Sequence, residues 1–231
     1  LEAALAIDPG AEVLARMDSK LVVEQMSGRW KIKHEDMRRL ALQARALAAE
    51  ATDLFEGARA TTQRFINAPR AHEIVFTKNA TESPNLVVNT WGRASLSAGD
   101  VVVLTHMEHH ANIVPWHMLA AELGIVLRWV PLTDDGQLDL TELPVLLDGA
   151  KAFSFTAMSN VLGTITPVRE LCRAAHDAGA IAIVDACQYV PHNVTDVQAW
   201  DADFVAFSSH KMCGPSGIGM LWGRMELLDE I

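Results

Sequence analysis

From Glu73 onward the chain alternates short apolar runs with polar punctuation and helix-forming stretches. Ile74-Val75-Phe76, Val101 to Leu104, Val126 to Val130, Ala152 to Phe155, Ile181 to Val184 and Phe204 to Phe207 are the runs. They are short, rich in β-branched and aromatic residues, and read as buried strands. Ile218 to Trp222 is a seventh candidate. Between them, Asn112 to Leu123 predicts a helix. Pro167 opens another that runs to Ala178 and closes at Gly179. Ala98-Gly99-Asp100 and Asp134-Asp135-Gly136 have turn chemistry. The earlier part reads differently. Residues 11–66 predict helices, with Leu40, Leu47, Leu54 and Phe55 at helical spacing, closed by Asn67-Ala68-Pro69.

Strands alternating with helices predict an α/β fold: a mostly parallel, mixed central sheet with helices on both faces, preceded by N-terminal helices. The division is residues 1–66, a helical segment, and residues 67–231, a large domain. In such sheets ligands bind beyond the carboxyl ends of the strands. Thr81, His109, Asn160, Asp185 and Lys211 all lie just past such an end.

Composition narrows the functional classes. Half of the 231 residues are hydrophobic and about a fifth charged, and the net charge is −10. That charge argues against a nucleic-acid surface and against anionic membrane. Small anions remain possible, since a helix N-terminus binds phosphate even in an acidic protein. Cys172, Cys187 and Cys213 are odd in number and widely spaced, which fits a reducing compartment and no disulfide framework. Leu1 to Ile7 lacks the basic start of a secretory signal, and no apolar run reaches the length of a membrane span. A cytoplasmic location is the expectation.

The chemistry concentrates at a few positions. Lys211 follows the apolar run Phe204 to Phe207, and a lysine at the mouth of a buried strand must be neutralised, paired or covalently used. It is either a snorkelling surface lysine or an amine that forms a Schiff base with an aldehyde cofactor such as pyridoxal phosphate. Asp185 ends another apolar run. It serves as a helix cap or as the counter-charge to a protonated pyridine nitrogen. His106, His109, His110 and His117 offer imidazoles, but without H-E-x-x-H spacing or a nearby cysteine zinc is disfavoured. One of them could stack on a planar cofactor and move protons. Asn79 to Ser83 offers hydroxyls and N–H groups for a phosphate. Gly214-Pro215-Ser216-Gly217-Ile218-Gly219 lacks nucleotide-loop spacing and reads as a tight turn that positions Lys211.

Five stretches in order resemble one family. Phe76-Thr77-Lys78-Asn79-Ala80-Thr81-Glu82, Met107 through Trp116 (MEHHANIVPW), Ser159 to Gly163, Val184-Asp185-Ala186-Cys187-Gln188 and Ser208 through Pro215 are similar to the SUF-type cysteine desulfurases. These are class V aminotransferases of pyridoxal phosphate (PLP) fold type I, and the likeness runs from about Thr52 to Ile231. It implies that residues 67–231 form a PLP-binding large domain. Lys211 would carry the cofactor and move protons at the substrate Cα. Asp185 would pair with the ring nitrogen, and Gln188 would reach the phenolic oxygen. His109 would stack on the ring. Thr81, Ser208 and His210 would hold the phosphate, and Asn160 would lie near the cofactor oxygen and the substrate carboxylate. No metal is implied.

The implied reaction converts L-cysteine to L-alanine and a persulfide on an enzyme cysteine, for iron–sulfur cluster assembly. The implied partners are a sulfur-acceptor protein of the SUF type and a second copy of the chain. L-Selenocysteine is the alternative substrate. A kynureninase-like enzyme or a non-catalytic remnant of the fold are the rival readings. Four departures stand out. Ser209 replaces a glycine, and Ala186-Cys187 replaces Gly-Ala. Residues 12–50 lack a His-Arg-Gly stretch, for which His34-Glu35-Asp36 is a poor substitute. The expectation is also that the chain stops before a C-terminal small domain carrying the persulfide cysteine. None of its three cysteines is expected to replace that group: Cys172 and Cys187 read as packing residues, and Cys213 as facing away from Lys211 on an extended stretch.

Overall fold

The computed structural model describes residues 35–230, with side chains from Arg38. The expectations for residues 7–34 lie outside the described residues. The chain divides into two units, Leu1–Arg59 and Ala60–Ile231. Helix α1 (Glu35–Phe65) is continuous for 31 residues. Its Ala-, Leu- and Arg-rich composition favours helix at nearly every position. Yet Leu40, Leu54 and Phe55 are exposed, so propensity rather than a buried stripe accounts for this helix.

The second unit is built on one seven-stranded sheet in the order β1-β7-β6-β5-β4-β2-β3. The strands are β1 (Ile74–Thr77), β2 (Val101–Thr105), β3 (Val126–Val130), β4 (Ala150–Thr156), β5 (Ile181–Asp185), β6 (Phe204–Ser208) and β7 (Gly219–Gly223). Strands β2 to β6 pair parallel, while β7 runs antiparallel between β1 and β6. The mixed sheet expected from the sequence is therefore present, and six of its seven strands end at the same edge.

Apolar runs without alternation require cover on both faces, and the burial follows that rule. Val103, Phe153, Phe155, Val184, Val205 and Phe207 join one core, and Val102, Leu104, Ala152, Ile183 and Phe204 join the other. Leu171, Cys172 and Ala175 of α5 (Val168–Asp177) fill the first. Trp116 and Leu119 of α3 (His110–Leu123) fill the second. Helix α2 (Glu82–Val87) continues through a π-helical turn (Val88–Gly92) into Arg93–Ser95. Three short helices complete the unit: α4 (Leu143–Leu147), α6 (Val197–Trp200) and α7 (Met225–Leu228). The first two are too short for a periodic signal, and the sequence pattern does not reveal them.

One glycine matters to the site. A Cβ on Gly219 would lie 2.3 Å from the backbone carbonyl carbon of Asn79. The start of β7 thus presses directly on the turn after β1, an approach no larger residue permits.

Candidate active site

The carboxyl-end edge of the sheet encloses a cavity of about 230 Å³. Its wall contains Thr81, His109, Asn160, Asp185, Gln188, Ser208, His210 and Lys211, all eight residues singled out from the sequence. Ala80, Met158 and Cys187 join them.

Each side chain is delivered by a strand end. β5 closes on Asp185, whose backbone carbonyl accepts the Ala157 N–H (2.8 Å), while the Ala186 N–H donates to Ala206 (2.9 Å). Asp185 is buried and its carboxyl accepts one N–H, from Cys187, at 2.9 Å. Burial pushes that carboxyl up from the ordinary range, while the Cys187 N–H and the charges of His109 and Lys211 oppose the shift. A buried acid with so few donors is suited to a cationic partner.

His109 caps helix α3. Its Nδ1 accepts the Ala111 N–H at 3.0 Å, which places the ring proton on Nε2. The other histidines do different work. His106 and His117 pack against Trp129 at ring separations of 5.6 and 5.7 Å. Among the described residues no group of three metal-binding side chains comes together.

Lys211 lies in a 3₁₀ turn, Ser209–Met212, that follows β6. The stretch is not extended as expected, so alternation does not decide where Cys213 points. Cys213 is exposed, with its backbone in the left-handed region at φ 61°. Ser209 explains its own departure from glycine. Its one hydroxyl proton lies within reach of the Pro215 and Ile218 carbonyls and its N–H donates to Ile218, so it ties the 3₁₀ turn to the glycine-proline loop. Cys187 also differs from expectation. It lines the cavity instead of packing on the sheet, and burial pushes its thiol up, with Asp185 adding to the shift and Lys211 and the Ser208 hydroxyl opposing it. Cys172 is buried in α5, where burial raises its thiol far out of reach of ionisation.

The phosphate seat is narrower than the sequence suggests. The Ala80 N–H donates to the Ser208 hydroxyl at 2.6 Å, and the Glu82 N–H to the Asn79 side chain at 2.9 Å. Those two donors are committed within the protein. Thr81 and His210 remain on the cavity wall.

The donor set fits PLP. A single lysine, a buried acid short of donors, an imidazole in a fixed tautomer and a hydroxyl-bearing end share one small cavity. A family model described as "Aminotransferase class-V" matches residues 20–231. The chain belongs to the class-V aminotransferase family. That family is PLP-dependent, and the mixed sheet matches its fold type I. A probable cysteine desulfurase of Streptomyces coelicolor is 53% identical over 190 residues, covering 80% of this chain and 46% of the relative. A cysteine desulfurase of Dickeya dadantii is 52% identical over 186 residues, covering 80% and 45%. The apo structure of a cysteine desulfurase from Thermococcus onnurineus superposes with a TM-score of 0.76 at 43% identity, covering 80% of this chain and 46% of that one. The chain thus spans about half the length of the curated relatives it matches.

Sequence reasoning missed two contributors. Glu108 lies one residue before His109 inside a quoted motif, but its neighbours Thr105, Asn112 and Thr156 come from three separate elements. Cys187, beside Gln188, reads from the sequence as packing on the sheet, whereas the turn after β5 places it on the cavity wall.

Proposed function

We propose that this chain forms the PLP-holding part of a cysteine desulfurase. The observation that carries the reading is the convergence of Lys211, Asp185 and His109 on one cavity, in a chain about half identical to proteins named cysteine desulfurase. PLP, when bound, supplies an aldehyde that condenses with amines and a pyridinium ring that weakens bonds at the substrate carbon.

The chain's residues supply binding, orientation and proton handling. Lys211 provides the amine that holds the cofactor and then carries a proton at the substrate Cα. Asp185 stays ionised against the ring nitrogen, because a cation there offsets the burial that otherwise favours its acid form. His109 presents an Nε2–H at the wall, locked by the cap on Nδ1, and is poised to donate or shuttle a proton. Thr81, Ser208 and His210 bind the phosphate, and the Ser208 hydroxyl, which accepts the Ala80 N–H, keeps its own proton to donate. Gln188 binds the phenolic oxygen. Asn160 orients the substrate carboxylate.

In the whole protein this chemistry converts L-cysteine to L-alanine and a persulfide. The sulfur then passes to an acceptor protein of the SUF type for iron–sulfur cluster assembly. A homodimer in the cytoplasm is the working form, and residues 67–231 are the cofactor-binding domain.

The test is spectroscopic. Mixed with PLP, the chain turns yellow, and borohydride fixes the cofactor's mass on the peptide holding Lys211. Lys211→Ala abolishes that adduct entirely. A chain that stays colourless, or an adduct that survives the substitution, would falsify the reading.

A further inference from the structure

The turn between β2 and α3 carries an acid that the roles above leave unused. Glu108 precedes His109, and its carboxyl runs inward. Oε1 accepts the Thr105 hydroxyl at 2.5 Å and the Thr156 N–H at 2.8 Å, while Oε2 accepts the Asn112 amide at 2.8 Å. Asn112 is buried and accepts the Ser154 hydroxyl at 2.7 Å. The end of β2, the first turn of α3 and the end of β4 therefore meet on one carboxyl. His109 sits inside this knot. Its carbonyl accepts the Asn112 N–H at 2.8 Å, and its ring accepts Ala111.

We propose that Glu108 is the positioning residue of the cavity, tying three elements together so that the next residue, His109, is held in place on the wall. The proposal rests on the reading that the cavity holds PLP, since His109 acts there on the cofactor. A catalytic side chain needs a supporting shell to keep its orientation, because small displacements remove most of its effect.

The charge state fits the position. Burial pushes the Glu108 carboxyl up to about 8, Asp185 pushes the same way, and its three hydrogen bonds pull against both. Asp185, at the end of β5, is the acid facing it. From β4 come only the neutral Ser154 and Thr156, and its own turn contributes His106, His109 and His110. At neutral pH Glu108 therefore keeps its proton and adds no negative charge beside Asp185. The knot closes in either state, because the Thr105 hydroxyl can accept as well as donate.

Two substitutions separate positioning from bulk. Glu108→Gln keeps the shape. Its oxygen still accepts from Thr105 and Thr156. A flip of the Asn112 amide presents oxygen to the new NH₂ and nitrogen to Ser154, which can accept. Glu108→Ala leaves three donors without an acceptor. The experiment uses the full chain with two readouts: the imidazole ¹⁵N signals of His109, assigned by loss in His109→Gln, and PLP binding followed by absorbance. Wild type and Glu108→Gln should show one Nε2–H tautomer and bind PLP within about threefold of each other. Glu108→Ala should average the two nitrogens and bind PLP at least tenfold more weakly. If Glu108→Ala fails to fold, Glu108→Gln decides alone, and a tenfold loss or an averaged imidazole overturns the assignment. A folded Glu108→Ala with an unchanged His109 tautomer overturns it as well. Wild type that does not take up PLP refutes the cofactor reading instead, while the ¹⁵N comparison still judges Glu108.

Discussion

Two aspartates lie at opposite ends of the β5–β6 pair, equally buried and differently furnished. Asp203, just before β6, is 6% exposed, and Asp185, at the end of β5, is 7% exposed. Asp203 accepts the Ala182 N–H at 2.7 Å, and it meets His176 Nε2 at 2.7 Å and Arg224 Nε at 2.8 Å. Asp201 extends that cluster through Arg224 and His176. Asp185 has the single N–H of Cys187 and a cavity beside it. Burying a carboxylate costs several kcal/mol unless partners replace its water. Asp203 has its partners inside the fold and is a clamp. Asp185 lacks them, and that deficit is the mark of a group kept for a ligand.

The largest effect should come from the clamp. Asp203→Ala leaves Arg224 and His176 without their buried acceptor and frees the Ala182 N–H. Since both partners remain in reach of water, a loss of about 3 kcal/mol is expected. For a chain of this size that lowers the melting temperature by about 6–12 °C. Differential scanning calorimetry gives the number directly. A variant that melts with the wild type would remove the distinction between the two aspartates.

Asp185→Asn should separate stability from binding. The cofactor-free chain should become more stable at pH 7, because an acid whose ionised form is opposed by burial has been made neutral. PLP affinity should fall at least tenfold, about 1.4 kcal/mol, as the counter-charge for the ring nitrogen is gone. Urea midpoints and a PLP titration measure the two on the same samples. If both quantities fall together, Asp185 is a clamp like Asp203.

Much of this contrast was legible before folding, and the reason is local. Asp185 and Lys211 each follow an apolar run, and a strand exposes what comes right after it. Both were found that way, as were the seven strands. The cavity wall residues Thr81, His109 and Asn160 follow the same rule. What escaped was assembled from distant segments. Glu108 needs β4 to show its role, and the Asp203 clamp joins α5, the start of β6 and the residue after β7. Short turns escaped too, because alternation fails in the 3₁₀ turn at Lys211. No pattern within Asn79 to Ser83 shows that the Ala80 N–H is already taken by Ser208, 128 residues away.

The comparison also predicts how stability depends on pH, with opposite signs at the two ends of the sheet. The Glu108 carboxyl titrates near 4.5 when unfolded and at about 8 when folded. The folded state therefore binds this proton more tightly. Its contribution is fully present below about pH 4.5 and is lost as pH rises through 8. Asp185, also raised, acts in the same direction. Burial works against it, yet Arg224 and His176 hold the Asp201 carboxyl below its usual range, so the contribution of Asp201 is lost as pH falls through the acid range. The cofactor-free chain should thus be most stable in mildly acidic solution and weaken towards pH 8. One proton sets the ceiling of the slope from Glu108, so the change between pH 7 and 8 is at most about 1.4 kcal/mol. Urea midpoints between pH 4 and 9 test this. Glu108→Gln should flatten the alkaline limb, whereas Asp203→Ala should lower the whole curve and leave that limb its slope. A wild-type midpoint that stays level from pH 5 to 8 would mean that Glu108 titrates as an ordinary surface acid, and the contrast between clamp and cavity would then rest on Asp185 alone.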